Sequence, residues 1–248
     1  MRVRPWGRAP YDEVWRAMRD FTAARGPGDA DELWLVEHDP VYTLGQAARR
    51  EHLHAPGAIP VVATDRGGQV TFHGPGQLVV YTLVDLRRAG YFVRELVYRI
   101  EESVIQSLDA LGVVGLRVAG APGVYVAAPA VVPAVVPTAV PSAPAPAPAA
   151  DARFAGKAKI AALGIKVSRG CAYHGLALNV AMDLAPFARI DPCGYRGLAA
   201  IDLATLGVHV APDRVAARLV ERLQAHLAGR AAPAAAARAD GPVQQEES

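Results

Sequence analysis

Cysteine is scarce in this chain, two in 248 residues, Cys171 and Cys193. The two could pair, but in a reducing compartment a lone reactive thiol is the better reading. No Cys/His pair has the spacing of a structural zinc site. An excess of one charge is missing as well: 26 Lys and Arg stand against 24 Asp and Glu, interspersed, for a net +2. A nucleic-acid partner would leave a basic footprint, and none is present despite a pI near 8.6. The chain also lacks an apolar run near 18 residues and a signal peptide, since Met1 to Pro5 reads straight into an amphipathic helix. These absences predict a cytosolic protein with neither nucleic acid nor membrane as partner.

Nucleotide-binding loops are absent too. The richest glycine run, Arg66-Gly67-Gly68-Gln69-Val70-Thr71-Phe72-His73-Gly74-Pro75-Gly76-Gln77, has no Gly-Lys-Ser/Thr, so it is not a Walker loop. It precedes an apolar strand, Leu78 to Leu83, rather than a helix, so it is not a Rossmann fingerprint. Four glycines in twelve positions give up chain entropy and side-chain packing, which suits a backbone that approaches a ligand closely. A glycine-rich β-hairpin whose His73 merely bonds nearby backbone would have the same composition.

Elsewhere the pattern is that of a folded α/β domain. Val14, Trp15, Met18 and Phe21 share a face of a helix from Tyr11 to Ala24, which Gly26-Pro27-Gly28 stops. Val93 to Leu111 repeats apolar residues at 3.6 spacing before Gly112, and Pro212 to Leu227 has proline in its first turn and leucines inward. Short strands are predicted at Leu33–Glu37, Val41–Leu44, Val61–Thr64, Val113–Val118, Val124–Ala127, Lys159–Val167 and Gly175–Val180. Strands and helices alternate too irregularly for a doubly wound sheet, so a mixed-sheet α/β or α+β domain over residues 1–228 is expected. Residues 128–155 are dominated by Pro, Ala and Val, which predicts a semi-extended excursion at a hairpin tip. A disordered tail is expected over 229–248.

Two residues stand out chemically. Cys193 lies in Asp191-Pro192-Cys193-Gly194, turn chemistry that displays a thiol, whereas Cys171 enters a strand-like stretch where cysteine acts as a small core hydrophobe. Residue context ranks Cys193 first as a nucleophile and leaves open that both are structural. A thiol is mostly protonated at pH 7, so a nucleophilic one needs a neighbour that favours its thiolate. Lys159 heads the apolar stretch Ile160 to Ile165, where a lysine that is not exposed must find an anion or a ligand.

The run Arg66–Gln77, Gly123-Val124-Tyr125-Val126, the strand Lys159–Gly164, His174-Gly175-Leu176-Ala177-Leu178-Asn179 and Asp191-Pro192-Cys193-Gly194 occur in one order. Together they closely resemble the lipoyl/octanoyl transferase family over about residues 30 to 210. The resemblance implies a single mixed-sheet domain similar to the biotin and lipoate protein ligases, with no metal and no cofactor. It implies octanoyl transfer from octanoyl-acyl carrier protein to a lysine of lipoyl domains, those of 2-oxoacid dehydrogenase E2 subunits and of the glycine cleavage H protein. Cys193 would carry the thioester and Lys159 complete a Cys/Lys dyad. Arg66, Gly67, Gly68, Gln69, Val70, Thr71, Phe72 and His73 would contact substrate, with Ala162, Leu163, Gly164, Gly175, Leu176 and Ala177, and His174 would line the site. Two features depart from the family pattern: Tyr125 replaces a common tryptophan, and the Pro/Ala excursion lengthens a connection that is usually short. An ATP-dependent lipoate or biotin-type ligase of this fold, and a non-catalytic acyl or lipoyl-domain binding module, are the competing readings. The first lacks the biotin-ligase Gly-Arg-Gly-Arg-type loop, and the second would not need a Cys/Lys pair.

Overall fold

The computed structural model describes residues 1–129 and 151–229. Along the chain run β1 (Arg2–Ala9), α1 (Tyr11–Ala24), β2 (Glu32–His38), β3 (Val41–Leu44), β4 (Val61–Ala63), β5 (Val70–His73), β6 (Gln77–Asp85), α2 (Leu86–Ala89), α3 (Val93–Asp109), β7 (Leu116–Val118), β8 (Ala121–Ala127), β9 (Lys157–Ser168), β10 (Cys171–Asn179), β11 (Ala199–Ala200) and α4 (Pro212–Leu227). An eight-stranded mixed sheet takes the order β1-β2-β6-β10-β9-β8-β7, with β11 beside β9. Only the β1/β2 and β11/β9 pairs are parallel in it. A second sheet, β4-β3-β5, stands apart.

Period-two alternation divides the large sheet between its two covers. On β6, Val80 and Val84 join Leu96, Ile100 and Val104 of α3 and Val215, Leu219 and Leu223 of α4. The intervening Val79, Tyr81 and Leu83 face Val14 and Met18 of α1. The helices form because their buried residues recur every three or four positions, as at Tyr11, Val14, Met18 and Thr22 of α1 and at Val215, Leu219, Leu223 and Leu227 of α4. Among the described residues no helix is long and apolar enough to cross a membrane.

Three expectations are revised. The chain does not pass from Pro5 straight into a helix: residues 2–9 form β1, parallel to β2, with a register shift between Pro5 and Gly7. Nearly all of β1 is solvent-exposed at the sheet edge, so it has no apolar alternation to read, and an edge tolerates its proline. The glycine run is loop only in part, since Val70–His73 pair with β3. Most of the Pro/Ala excursion, and the tail after Gly229, lie outside the described residues. The end of that excursion, however, is built into the protein: Ala152–Phe154 form a 3-10 turn, and Phe154 is buried against Tyr125 and Tyr195, ring centroids 5.4 and 4.6 Å away. The Ala128 N–H donates to Gly156 O at 2.9 Å and closes the neck of this connection.

His38 ends β2 fully buried, Nδ1 2.9 Å from Ala9 O and Nε2 2.7 Å from the Tyr81 hydroxyl. Its Nδ1–H donates to the carbonyl and Nε2 accepts from Tyr81, a neutral tautomer that ties β1, β2 and β6 together. Burial lowers its pKa to about 4. The unfolded chain binds this proton from about pH 6.5 downward and the folded chain only near pH 4, so stability present above pH 6.5 is lost as pH falls through that window. About 2 kcal/mol should vanish between pH 7 and pH 5 on this account. Thermal melts at both pH values should show the drop in the wild type and a smaller one in His38→Gln; equal drops would place the effect elsewhere.

Candidate active site

Cys193 sits in a 3-10 turn, Pro192–Gly194, with a left-handed backbone of φ 59° and ψ 17°. A non-glycine residue held there costs about 1–3 kcal/mol, so the surroundings must impose it. They do so through Asp191. Its carbonyl accepts from Gly194 N–H at 2.8 Å, its own N–H donates to His52 O at 2.9 Å, and its buried carboxylate accepts from His52 Nδ1 at 2.9 Å. A bridge between Leu53 and Ile190 holds the same two segments together. The turn presents a partly buried thiol, while Cys171 is buried within β10.

Lys159 reaches that thiol from β9. Nζ lies 2.8 Å from Cys193 Sγ, 2.9 Å from Pro122 O and 3.3 Å from the Tyr125 hydroxyl. Three donors meet three acceptors, so the ammonium is fully hydrogen-bonded although Lys159 is 5% exposed. The Tyr125 hydroxyl donates its own proton to Ala121 O, which leaves its lone pair free for the lysine. Burial works against the Lys159 charge, but the Cys193 sulfur and Tyr125 outweigh it, and its pKa stands above the ordinary lysine value. Room for the amine exists because residue 123 is glycine: a Cβ there would lie 2.6 and 2.7 Å from Lys159 Cε and Nζ, and φ is +136°.

A cavity of about 350 Å³ opens beside the pair and is largely apolar. Arg66, Gly67, Gly68, Gln69, Val70, Thr71 and His73 form one wall; Ala162, Leu163 and Gly164 of β9 and Gly175, Leu176 and Ala177 of β10 form another; His174 and Cys193 also line it. Of the expected substrate contacts Arg66 to His73, Phe72 alone does not line the cavity; its ring packs 5.4 Å from Tyr42 and 5.6 Å from Phe187 beneath the small sheet. Arg66 is buried and shapes its wall from within, donating to Thr43 O, Gly67 O and Gln69 O at 2.6, 3.0 and 2.7 Å. The His73 Nδ1–H donates to Gln77 Oε1 at 2.8 Å, and Gln77 is fixed in that orientation by donating to Phe72 O and Asn179 Oδ1. Burial lowers the His73 pKa to about 3, so the ring is neutral.

Comparisons with known proteins identify the family. The lipoyl protein ligase A/B catalytic domain family matches residues 10–224. An octanoyltransferase of Verminephrobacter eiseniae is 57% identical over 92% of this chain and 99% of its own. The chain belongs to the octanoyltransferase family. It shares its fold with a bi-partite lipoate protein ligase of Thermoplasma acidophilum, described with its E2 lipoyl domain, at TM-score 0.62 and 16% identity, covering 92% of this chain and 84% of that one. A biotin protein ligase of Aquifex aeolicus in complex with biotin and ATP overlays with TM-score 0.53 and 10% identity, covering 91% and 70%. The mixed sheet flanked by helices is therefore the fold expected from the sequence.

As an octanoyltransferase, and so an acyltransferase, the chain carries residues around its cavity that sequence reading passed over. Tyr11, Val79, Tyr81, Val93, Val97, Ala121, Pro122, Ile165 and Tyr195 line it, contributed by five strands and helices and the segment after Gly194. Asp65, one residue before the glycine run, is the centre of a network: its carboxylate accepts from Trp15 Nε1 at 2.9 Å, His174 Nε2 at 2.8 Å and the Tyr173 hydroxyl. Burial disfavours its charge, but those hydrogen bonds from His174, Tyr173 and Trp15 outweigh it and hold the carboxyl well below the usual range. Burial in turn lowers the His174 pKa, so a neutral ring donates Nε2–H to Asp65.

The Gly123 clearance makes a test that needs no substrate. In Gly123→Ala the methyl group should push the amine off Cys193, and alkylation of Cys193 by iodoacetamide at pH 7 should become slower than in the wild type. Intact-mass kinetics with peptide mapping read this rate. An unchanged rate would show that Lys159 does not govern the thiol.

Proposed function

We propose that this octanoyltransferase moves an octanoyl group from octanoyl-acyl carrier protein to a specific lysine of lipoyl domains through a thioester on Cys193, an early step of protein lipoylation. The single observation that carries the reading is the 2.8 Å contact between buried Lys159 Nζ and Cys193 Sγ at the mouth of an apolar cavity. The relatives support the transfer by their name, and the lipoate ligase described with its E2 lipoyl domain supports the acceptor class.

The dyad can run both half-reactions. In the first, the Cys193 thiolate attacks the donor thioester carbonyl; the carrier thiolate leaves and takes a proton from Lys159. Acylation removes the anion beside Lys159, so desolvation, opposed then by Tyr125 without the sulfur, shifts the amine toward its neutral form. In the second, neutral Lys159 takes a proton from the incoming lysine amine as it attacks the Cys193 thioester. The amide leaves, Cys193 is thiolate again, and Lys159 is again its cation. Leu163, Gly164 and Gly68 line the cavity, and a backbone N–H from this group would bind the oxyanion, since the Gly67 N–H is taken by Ile165 O. Burying six methylenes of the acyl tail supplies roughly 5 kcal/mol at about 0.8 kcal/mol each.

Incubation with octanoyl-acyl carrier protein in the absence of ATP should add one octanoyl mass to the protein, and peptide mapping should place it on Cys193. Cys193→Ser should not form this adduct, while Cys171→Ser should. Octanoyl on a Cys171 peptide, or a strict need for ATP, would overturn the reading.

Lys159→Arg should separate the half-reactions, because arginine keeps a cation beside the thiol but does not give up its proton near neutral pH. Acyl-enzyme formation should survive in part, and transfer to the lipoyl-domain lysine should fall by about 10²-fold or more. Single-turnover kinetics of each step read the difference; wild-type rates in both would remove Lys159 from the mechanism.

A further inference from the structure

One corner of the cavity is polar. His174 pairs with Ile165, six residues along β9 from Lys159, and the strand positions between carry the apolar lining of Ala162, Leu163, Leu176 and Ala177. The polar corner thus lies at the far end of this apolar floor from the dyad. His174 is 1% exposed and holds a left-handed backbone, φ 64°, inside a strand. Its Nε2–H is committed to Asp65, and its Nδ1 is buried with no hydrogen-bond partner among the described residues. The Tyr11 hydroxyl, on a residue lining the same cavity, is likewise buried with no hydrogen-bond partner among the described residues. The neighbouring polar groups are already engaged: Tyr81 with His38, and His73 with Gln77 and Thr43.

A tyrosine O–H and a neutral imidazole nitrogen make one donor and one acceptor. Buried polar atoms without partners are rare in folded proteins, and two on one cavity call for a group that both donates and accepts. A hydroxyl is that group. We propose that Tyr11 and His174 form a subsite for a hydroxyl at the distal end of a medium-chain acyl group, so that the enzyme transfers terminally hydroxylated acyl chains as well as octanoyl. With an unsubstituted chain the corner holds water. This inference rests on the acyl-transfer reading above.

The test compares octanoyl and 8-hydroxyoctanoyl thioesters of the same carrier protein, measuring kcat/KM for acyl-enzyme formation by intact mass. A wholly apolar pocket rejects an added hydroxyl by about 10²-fold. The subsite predicts a wild-type ratio within about tenfold, and a shift of about tenfold or more against the hydroxylated chain in Tyr11→Phe. Because each ratio is internal to one preparation, a loss of folded protein cancels. A wild-type preference for octanoyl beyond that tenfold range, or a Tyr11→Phe change that is equal for both chains, overturns the proposal. Failure of the acyl-transfer reading looks different: neither chain would appear on Cys193.

Discussion

A lysine ammonium taken out of water must be met by acceptors and an anion, or it loses its proton. Lys159 is the strictest case of this constraint in the protein, and much of the fold around it is arranged to satisfy it. β8 supplies a carbonyl and the Tyr125 hydroxyl, Gly123 leaves the space, and β11 pairs in parallel with β9 at Lys159 itself, which brings the following chain back beside the strand. The third acceptor is Cys193, delivered on a strained turn that Asp191 and His52 clamp. The Cys193 sulfur is thus a partner required by the core as well as by the proposed chemistry.

A second investment in buried polarity lies on the α1 side of the sheet. Arg66 curls the glycine run by donating to its own neighbours' carbonyls, and Asp65 beside it gathers Trp15, Tyr173 and His174. Adjacent residues therefore face opposite tasks, one forming the cavity wall and the other holding the histidine behind it. Buried networks of this kind rigidify a site, because rotation of a member strands a donor or acceptor.

What was legible in the sequence follows from which forces leave a repeating trace. α1, α3 and α4 begin where periodicity and proline place them, since one face of each is buried. Cys193 is readable from its turn chemistry, and Lys159 from its apolar surroundings. β1 is not readable, because an exposed edge strand that buries little beyond Ala9 leaves no apolar alternation. Asp65 and Tyr11 escape notice for another reason: each is positioned by contacts distant in sequence, Asp65 by His174 and Tyr11 by His38 and His73. Phe72 shows the limit of reading a motif as a block, since β5 turns its ring toward Tyr42 and Phe187.

The closed neck at Ala128 and Gly156 has an evolutionary consequence. Chain leaves β8 and re-enters before β9 at a single hydrogen bond, with Phe154 locked beneath Tyr195 on the catalytic side. Insertions between those anchors do not have to move either strand, and doubling the length of such a connection costs only about 0.6 kcal/mol in closure entropy. The catalytic domain can therefore tolerate drift in this connection, in length and composition, while Lys159 stays in register.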